Sequence, residues 1–88
     1  MSTSTVDLLR DRLARLAPLV LEIDVESHRH AGHAGAREGG HYTVRIVAAV
    51  FADQGTMARH RLVYTAAGDL MRGRIHALSI HAKAPGEV

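Results

Sequence analysis

The spacing of hydrophobic residues divides the chain into segments that predict helix, strand, strand, helix and strand, in that order. Residues 4–16 and 56–71 repeat apolar side chains every three or four positions, which predicts two amphipathic helices. Residues 19–27, 41–51 and 74–82 have strand composition, with apolar and polar positions alternating. This order predicts an α+β fold, in which a three-stranded sheet with both helices packed on one face buries every apolar stripe.

Local signals set the ends of the two helices. Ser4 is suited to cap the first helix, and Pro18 prevents that helix from continuing. In the second helix, Val63, Ala66, Ala67 and Leu70 make one apolar stripe. Gly68 weakens this helix by about 1 kcal/mol relative to alanine, so the helix is expected to be broken there or to end early.

The third strand and the chain ends complete the predicted domain. Strict alternation places His76, Leu78 and Ile80 on one face of the third strand and Ile75 on the other. Residues 1–3 and 84–88 are expected to be frayed. Because no repeat or linker divides the chain, residues 1–88 are predicted to form a single domain.

The composition excludes several kinds of chemistry and location for this chain. The chain has no cysteine, which excludes disulfides, thiolate metal ligands and cysteine nucleophiles from it. No apolar run approaches the roughly 20 residues that cross a bilayer, and no secretory signal is recognisable, so a cytoplasmic protein with no membrane contact is expected. The formal net charge of +2 gives little affinity for nucleic acid by counterion release.

The sequence shows no pattern typical of an enzyme. It has no nucleophile with an adjacent base and orienting group, no phosphate-binding loop, and no paired carboxylates in an apolar setting. We therefore expect a protein that has no catalytic residues, binds no small-molecule substrate and acts by binding macromolecules.

A histidine-rich segment is the first candidate for chemistry. Residues 28–40 lack an apolar period and are predicted to be a loop that carries His28, His30 and His33, with His41 just after it. Neutral imidazole binds borderline metals, but a catalytic zinc site needs three protein ligands plus water. The loop offers two or three ligands without acidic residues at standard spacing. Judged from the residues alone, a solvated polar loop is the simpler interpretation.

Basic and aromatic residues on the second helix are the next candidates. Arg59 and Arg61 diverge on a helix, so they do not form one clamp, but each is suited to contact phosphates or a partner's carboxylates. Tyr64 is suited to stack on a base or a partner, and the alternative is a half-buried ring with a solvated hydroxyl. For His76, the alternative to ligation is a backbone hydrogen bond at the sheet edge.

Four segments together resemble the BolA family. They are Glu26–His30 with the sequence ESHRH, His41–Val44 with HYTV, Arg59–Tyr64 with RHRLVY and Ile75–Ile80 with IHALSI. The segments follow the family's order and spacing across roughly residues 20–84. The resemblance implies an αββαβ fold similar to class II KH domains, in agreement with the order of elements predicted above.

The resemblance also implies a function in iron–sulfur and iron homeostasis. BolA-like proteins pair with monothiol glutaredoxins through a bridging [2Fe–2S] cluster, to which the glutaredoxin and glutathione contribute thiolates. Carried over to this chain, His76 is the ligand from the third strand. The ligand from the loop is His33, with His30 as the runner-up. No cofactor is expected in the isolated chain.

A second function is implied by bacterial members of the family, which act as DNA-binding transcriptional regulators of stress response and cell morphology. Arg59, Arg61, Arg72 and Arg74 would then contact phosphates, and Tyr64 would be part of the same surface. A third hypothesis, a metal-binding or catalytic protein that acts alone, is favoured by the histidine count only.

Overall fold

A three-stranded sheet forms the centre of the molecule in the computed structural model, which describes residues 4–25 and 40–87. Its strands, in spatial order, are β1 (Val20–Val25), β2 (Gly40–Val47) and β3 (Ile75–Lys83). β2 pairs antiparallel with β1 and parallel with β3. A parallel pair needs a crossover connection, and the second helix supplies it.

The first helix, α1 (Thr5–Leu13), begins at the predicted cap. The Asp7 N–H donates a hydrogen bond to Ser4 Oγ at 3.1 Å, which confirms Ser4 as the N-cap. The predicted helix over 4–16 is correct in extent, but residues 14–16 form a 3-10 turn. Ala17 then adopts a left-handed backbone with φ of 52°, and the chain leaves the helix ahead of Pro18.

The second helix, α2 (Thr56–Ala67), ends earlier than residue 71. Gly68 has φ of 58° and ψ of −129°, a backbone conformation that residues with a side chain rarely adopt. The expected early end at Gly68 is therefore confirmed. Residues 68–72 form a 3-10 turn that leads into β3.

β2 ends earlier than the strand predicted over 41–51. It begins one residue early, at Gly40, and ends at Val47. Ala49–Phe51 form a 3-10 turn instead. This turn places Phe51 in the core, where none of its surface is exposed, and burial of the ring favours the turn over a longer strand. Of the strand predicted over 19–27, residues 20–25 form β1, Leu19 precedes the strand, and residues 26 and 27 lie outside the described residues.

The core lies between the helices and one face of the sheet. The register aligns Ile23, Val44 and Ile80 across the three strands, and these side chains join one cluster with the helices. The next row, Glu22, Arg45 and His81, is exposed on the opposite face. This alternation confirms that both helices cover a single face. The fully buried helix residues include Leu9, Leu13, Val63 and Ala67.

Candidate functional site

An irregularity at the start of β3 places His76 on the surface. Gly40 pairs with Ile75, and the next pair is His41 with Ala77, so His76 is an extra residue on β3. A β-bulge of this kind changes the direction of the side chains beside it. Ile75 is consequently buried at 2% exposure, whereas His76 is exposed.

Because of the bulge, the residues at the start of β3 lie on different faces of the sheet from those predicted. Strict alternation puts Ile75 and Ile80 on opposite faces, but both are buried in the same core. The same alternation puts His76 on the face of Leu78 and Ile80, and it is exposed instead. The prediction is wrong because one inserted residue shifts the side-chain period of two on only one side of the insertion.

The ring of His76 stacks on the ring of His41. The two ring centroids are 5.2 Å apart and the ring planes are inclined by 22°. His41 is half-buried at the start of β2 and follows the histidine-rich segment directly. The exposed imidazole of His76 therefore lies beside the point where that segment enters the sheet.

The two loop histidines proposed as ligands, His33 and His30, lie outside the described residues, so their part in the site stays a prediction. His41 is not among the ligands predicted from the sequence. Its position beside His76 follows from the parallel pairing of β2 and β3, which brings the starting residues of the two strands together and which the sequence pattern did not predict. Within residues 4–25 and 40–87, no three potential metal ligands form a cluster.

Arg59 is engaged by partners inside the molecule. Its Nη1 and Nη2 donate to Glu87 Oε1 and Oε2 at 2.6 and 2.8 Å, a bidentate ion pair. Its Nε donates to the Gln54 carbonyl at 2.8 Å, and Nη1 donates also to the Ala82 carbonyl at 3.0 Å. The guanidinium proposed as a phosphate or partner contact is thus occupied, and its side chain is only 14% exposed.

The same contacts correct the expectation of a frayed tail. Ala84 is buried at 4% exposure, and its N–H donates to Glu87 Oε1 at 3.1 Å. The hydrogen bond from Arg59 is the main cause that lowers the pKa of Glu87 to about 2, because it favours the charged carboxylate. Residues 84–87 are therefore attached to α2, while Val88 lies outside the described residues.

The remaining arginines and the tyrosine proposed as contacts are on the surface. Arg61 and Tyr64 are exposed on α2, and Arg72 and Arg74 are exposed in the turn before β3. Arg74 precedes His76 by two residues in the sequence. These residues stay candidates for contacts with a partner.

A second ion pair joins α1 to the end of α2. Arg12 Nη1 donates to Asp69 Oδ1 at 2.7 Å and to the Ala67 carbonyl at 3.1 Å. The hydrogen bond from Arg12 lowers the pKa of Asp69 below its ordinary value. This pair links α1 to the turn through which the chain passes from α2 to the bulge.

Comparison with known proteins identifies the class of this fold. A family model described as BolA-like protein matches residues 13–87. The chain therefore belongs to the BolA-like family. Among solved structures, the BolA domain of SufE1 from Arabidopsis thaliana has a TM-score of 0.84 at 39% identity, with 100% of both chains covered. The solution structure of BolA1 from Mus musculus has a TM-score of 0.79 at 36% identity, covering 98% of this chain and 69% of that one.

Curated relatives carry names of more than one kind. BolA-like protein 1 of Mus musculus is 40% identical over 72 residues, which are 82% of this chain and 51% of that protein. SufE-like protein 1 of Arabidopsis thaliana is 39% identical over 87 residues, which are 91% of this chain and 24% of that protein. The chain thus spans about half of the first relative's length and a quarter of the second's. The DNA-binding transcriptional regulator BolA of Escherichia coli is 30% identical over 79 residues, covering 84% of this chain and 73% of that protein.

Two observations bear on the environment of the chain. None of the helices in the described residues is both long and apolar enough to cross a membrane. The names of two Arabidopsis thaliana relatives assign those proteins to the chloroplast or mitochondrion. The cytoplasmic location therefore stays a prediction.

Proposed function

We propose that this chain is a binding protein that shares a bridging [2Fe–2S] cluster with a monothiol glutaredoxin and acts in iron–sulfur and iron homeostasis in the cytoplasm. The observation that carries the proposal is the exposed imidazole of His76, held at a β-bulge against the ring of His41. A partner can reach this side chain without unfolding the strand. Binding, and not turnover of a substrate, is the proposed activity.

The chemistry of the available side chains fits a shared cluster. The chain has no cysteine, so any thiolate ligands must come from the glutaredoxin and from glutathione. Imidazole is an accepted ligand of [2Fe–2S] iron, and replacement of thiolate by histidine raises the cluster's reduction potential. His76 would hold the cluster from β3, and the stacked ring of His41 restricts the plane that the His76 imidazole can adopt.

The second ligand is proposed to be His33, with His30 as the runner-up. Both belong to the histidine-rich segment that directly precedes His41, and the ring of His41 contacts that of His76. A ligand from this segment would approach His76 from the same edge of the sheet. The histidine-rich segment and the bulge then act together, whereas neither supplies a complete ligand set.

The test is a titration of the purified chain into cluster-loaded monothiol glutaredoxin, followed by visible absorption and circular dichroism. The native chain is expected to change both spectra with a one-to-one endpoint, and His76→Ala is expected to abolish that change. His81→Ala is the matched control, because His81 is also an exposed histidine of β3 but lies five residues away. An unchanged titration with His76→Ala would reject His76 as a ligand.

The same titration assigns the second ligand. His33→Ala is expected to weaken the spectral change strongly, and His30→Ala to leave most of it. The opposite order would make His30 the ligand. His41→Ala is expected to alter the shape of the spectrum while the complex still forms, because it removes the ring that packs on His76 and leaves the His76 imidazole in place.

A second candidate function is binding to DNA as a transcriptional regulator of stress response and cell morphology. The name of the Escherichia coli relative and the exposed positions of Arg61, Arg72 and Arg74 favour it. Arg59 is left out of this surface, because binding a phosphate would break its bonds to Glu87. Tyr64 is exposed on the same helix as Arg61 and would contact the DNA there.

Salt dependence tests this second function. Each phosphate contact contributes a slope of about −0.9 in the logarithm of affinity against the logarithm of salt concentration. Substitution of Arg61, Arg72 and Arg74 by alanine is expected to flatten the slope by about one unit for each arginine that binds a phosphate. Arg10→Ala, an exposed arginine on α1, is the control. If no DNA is retarded at low salt, this candidate is rejected.

A further inference from the structure

An open groove lies between the end of α1 and the outer side of α2. It has a volume of about 540 Å³. Its floor is apolar and includes Leu16, Val50, Ala58 and Leu62. Neither His76 nor His41 lines it, so whatever binds here is recognised by different chemistry.

A second depression adjoins the groove along α2. It has a volume of about 480 Å³, and it shares Arg61 and Thr65 with the first. Met57 and Tyr64 line it, and these side chains are 78% and 41% exposed. Val50 in the first groove is also 41% exposed. A continuous surface of this kind, with exposed large apolar side chains, is typical of a site that another protein covers.

The charge on this surface has one sign. Arg15 and Arg61 are exposed at the groove, and no carboxylate among the described residues pairs with either. No aspartate or glutamate of the described ranges lines either depression. The other arginines in contact with α2 differ in this respect, because Arg12 pairs with Asp69 and Arg59 pairs with Glu87.

We propose that this groove docks an acidic amphipathic helix of a partner protein. Apolar side chains at helical spacing would fill the floor, as in other helix-in-groove complexes, and flanking carboxylates would pair with Arg15 and Arg61. A peptide suits the site better than nucleic acid does, because the floor is aliphatic and the rings that line the two depressions, Tyr64 and His60, both belong to the second one. The groove is also wide open, whereas small-molecule sites enclose most of their ligand.

The test uses three probes and the ¹⁵N-labelled full chain, observed by NMR at near-physiological salt. The first probe is a short synthetic amphipathic helix with leucines on one face and glutamates beside them. The second replaces each glutamate by lysine, and the third is a short single-stranded DNA. The acidic peptide is expected to shift the amide signals of Leu16, Val50 and Ala58, and the lysine peptide is expected to bind at least about tenfold more weakly.

Two sets of variants locate the site. Arg15→Glu combined with Arg61→Glu is expected to weaken the acidic peptide by about tenfold or more. Arg10→Glu combined with Arg74→Glu makes the same change in net charge at exposed positions off the groove and is expected to leave binding nearly unchanged. Val50→Ser should also weaken the peptide, because it removes apolar contact area without a change of charge. All variants are at exposed positions, and equal melting temperatures would verify their folding.

Three results would overturn the proposal. The first is that the glutamate and lysine peptides bind equally well. The second is that the control variants weaken the acidic peptide as much as the groove variants do. The third is that the DNA binds more tightly than the acidic peptide and that the groove variants abolish this DNA binding. The last result would assign the surface to nucleic acid instead. The experiment contains no cluster and no glutaredoxin, so its outcome is separate from that of the function proposed above.

Discussion

The two ends of β3 lie in the same sheet but differ in how their polar groups are satisfied. At the C-terminal end, Arg59 and Glu87 form a bidentate pair, and Ala84 is buried. At the N-terminal end, a bulge leaves His76 exposed against His41. The first end, called the closed end, is held by contacts within the chain, whereas the second, called the open end, presents an imidazole to solvent.

This difference separates residues that maintain the fold from residues that are available to a partner. Arg59 and Arg61 belong to one short motif, yet only Arg61 is free of internal ion pairs among the described residues. Two residues on a helix are about 200° apart around its axis, so one arginine turns toward β3 and the tail while the other turns outward. The residue type in a motif therefore does not determine its role.

The largest contrast in stability is expected between Phe51→Ala and His76→Ala. Phe51 is fully buried beyond the end of β2, and its truncation should cost about 3–5 kcal/mol in the free energy of unfolding. His76 is exposed, and its truncation should change that free energy by no more than about 0.5 kcal/mol. Equilibrium unfolding in urea measures both free energies. Similar losses of stability in the two variants would contradict the distinction between residues that maintain the fold and residues that are available to a partner.

Gly68→Ala is expected to have the next largest effect, at the turn that leads to the open end. A side chain at φ of 58° and ψ of −129° is strained, at a cost on the order of 1–3 kcal/mol. The added Cβ would also lie 3.2 Å from Arg12 Nη1. Gly73→Ala is the control, because a Cβ there meets nothing within 4 Å. Equal urea midpoints for the two variants would show that Gly68 is not required by its backbone.

Arg59→Ala should lower the melting temperature more than Arg61→Ala. The first variant removes the pair with Glu87 and the bonds to the carbonyls of Gln54 and Ala82. The second removes an exposed guanidinium that has no such contacts among the described residues. Thermal unfolding by circular dichroism makes the comparison. If Arg61→Ala proves the more destabilising, the roles assigned to the two arginines are wrong.

The smallest effect is the pH dependence of the closed end. The folded-state pKa of Glu87 is about 2, below the ordinary value of 4.5, so the pair stabilises the fold fully above pH 4.5. That contribution is lost as the pH falls from about 4.5 toward about 2. The melting temperature of the native chain should therefore exceed that of Glu87→Gln at neutral pH, and the difference should shrink within this window. A constant difference across the window would exclude ionisation of Glu87 as its cause.

Much of the fold could be predicted from the sequence because its signals are local. The cap at Ser4, the apolar stripe on α2 and the alternation on β1 each depend on residues close together in the chain. The family resemblance through residues 59–64 and 75–80 is confirmed by the match over residues 13–87. Gly68 also signalled the end of α2 by its residue type alone.

The site was less predictable because it depends on contacts between distant residues. The bulge arises where Ile75 and Ala77 pair with two adjacent residues of β2, and no pattern within β3 reveals it. The pair of Arg59 with Glu87 spans 28 positions, so neither the internal engagement of Arg59 nor the attachment of the tail could be inferred locally. The stack of His41 on His76 required knowledge that β2 and β3 run parallel.

The most direct measurement is the magnetic coupling between the reduced [2Fe–2S] cluster and nitrogen in this chain. The chain would be labelled with ¹⁵N in its histidine rings only, combined with an unlabelled, cluster-loaded glutaredoxin, and studied by electron–nuclear double resonance. The account predicts strong ¹⁵N coupling in the native complex and disappearance of the His76 contribution in His76→Ala. A complex that forms with its cluster but shows no histidine ¹⁵N coupling would contradict it.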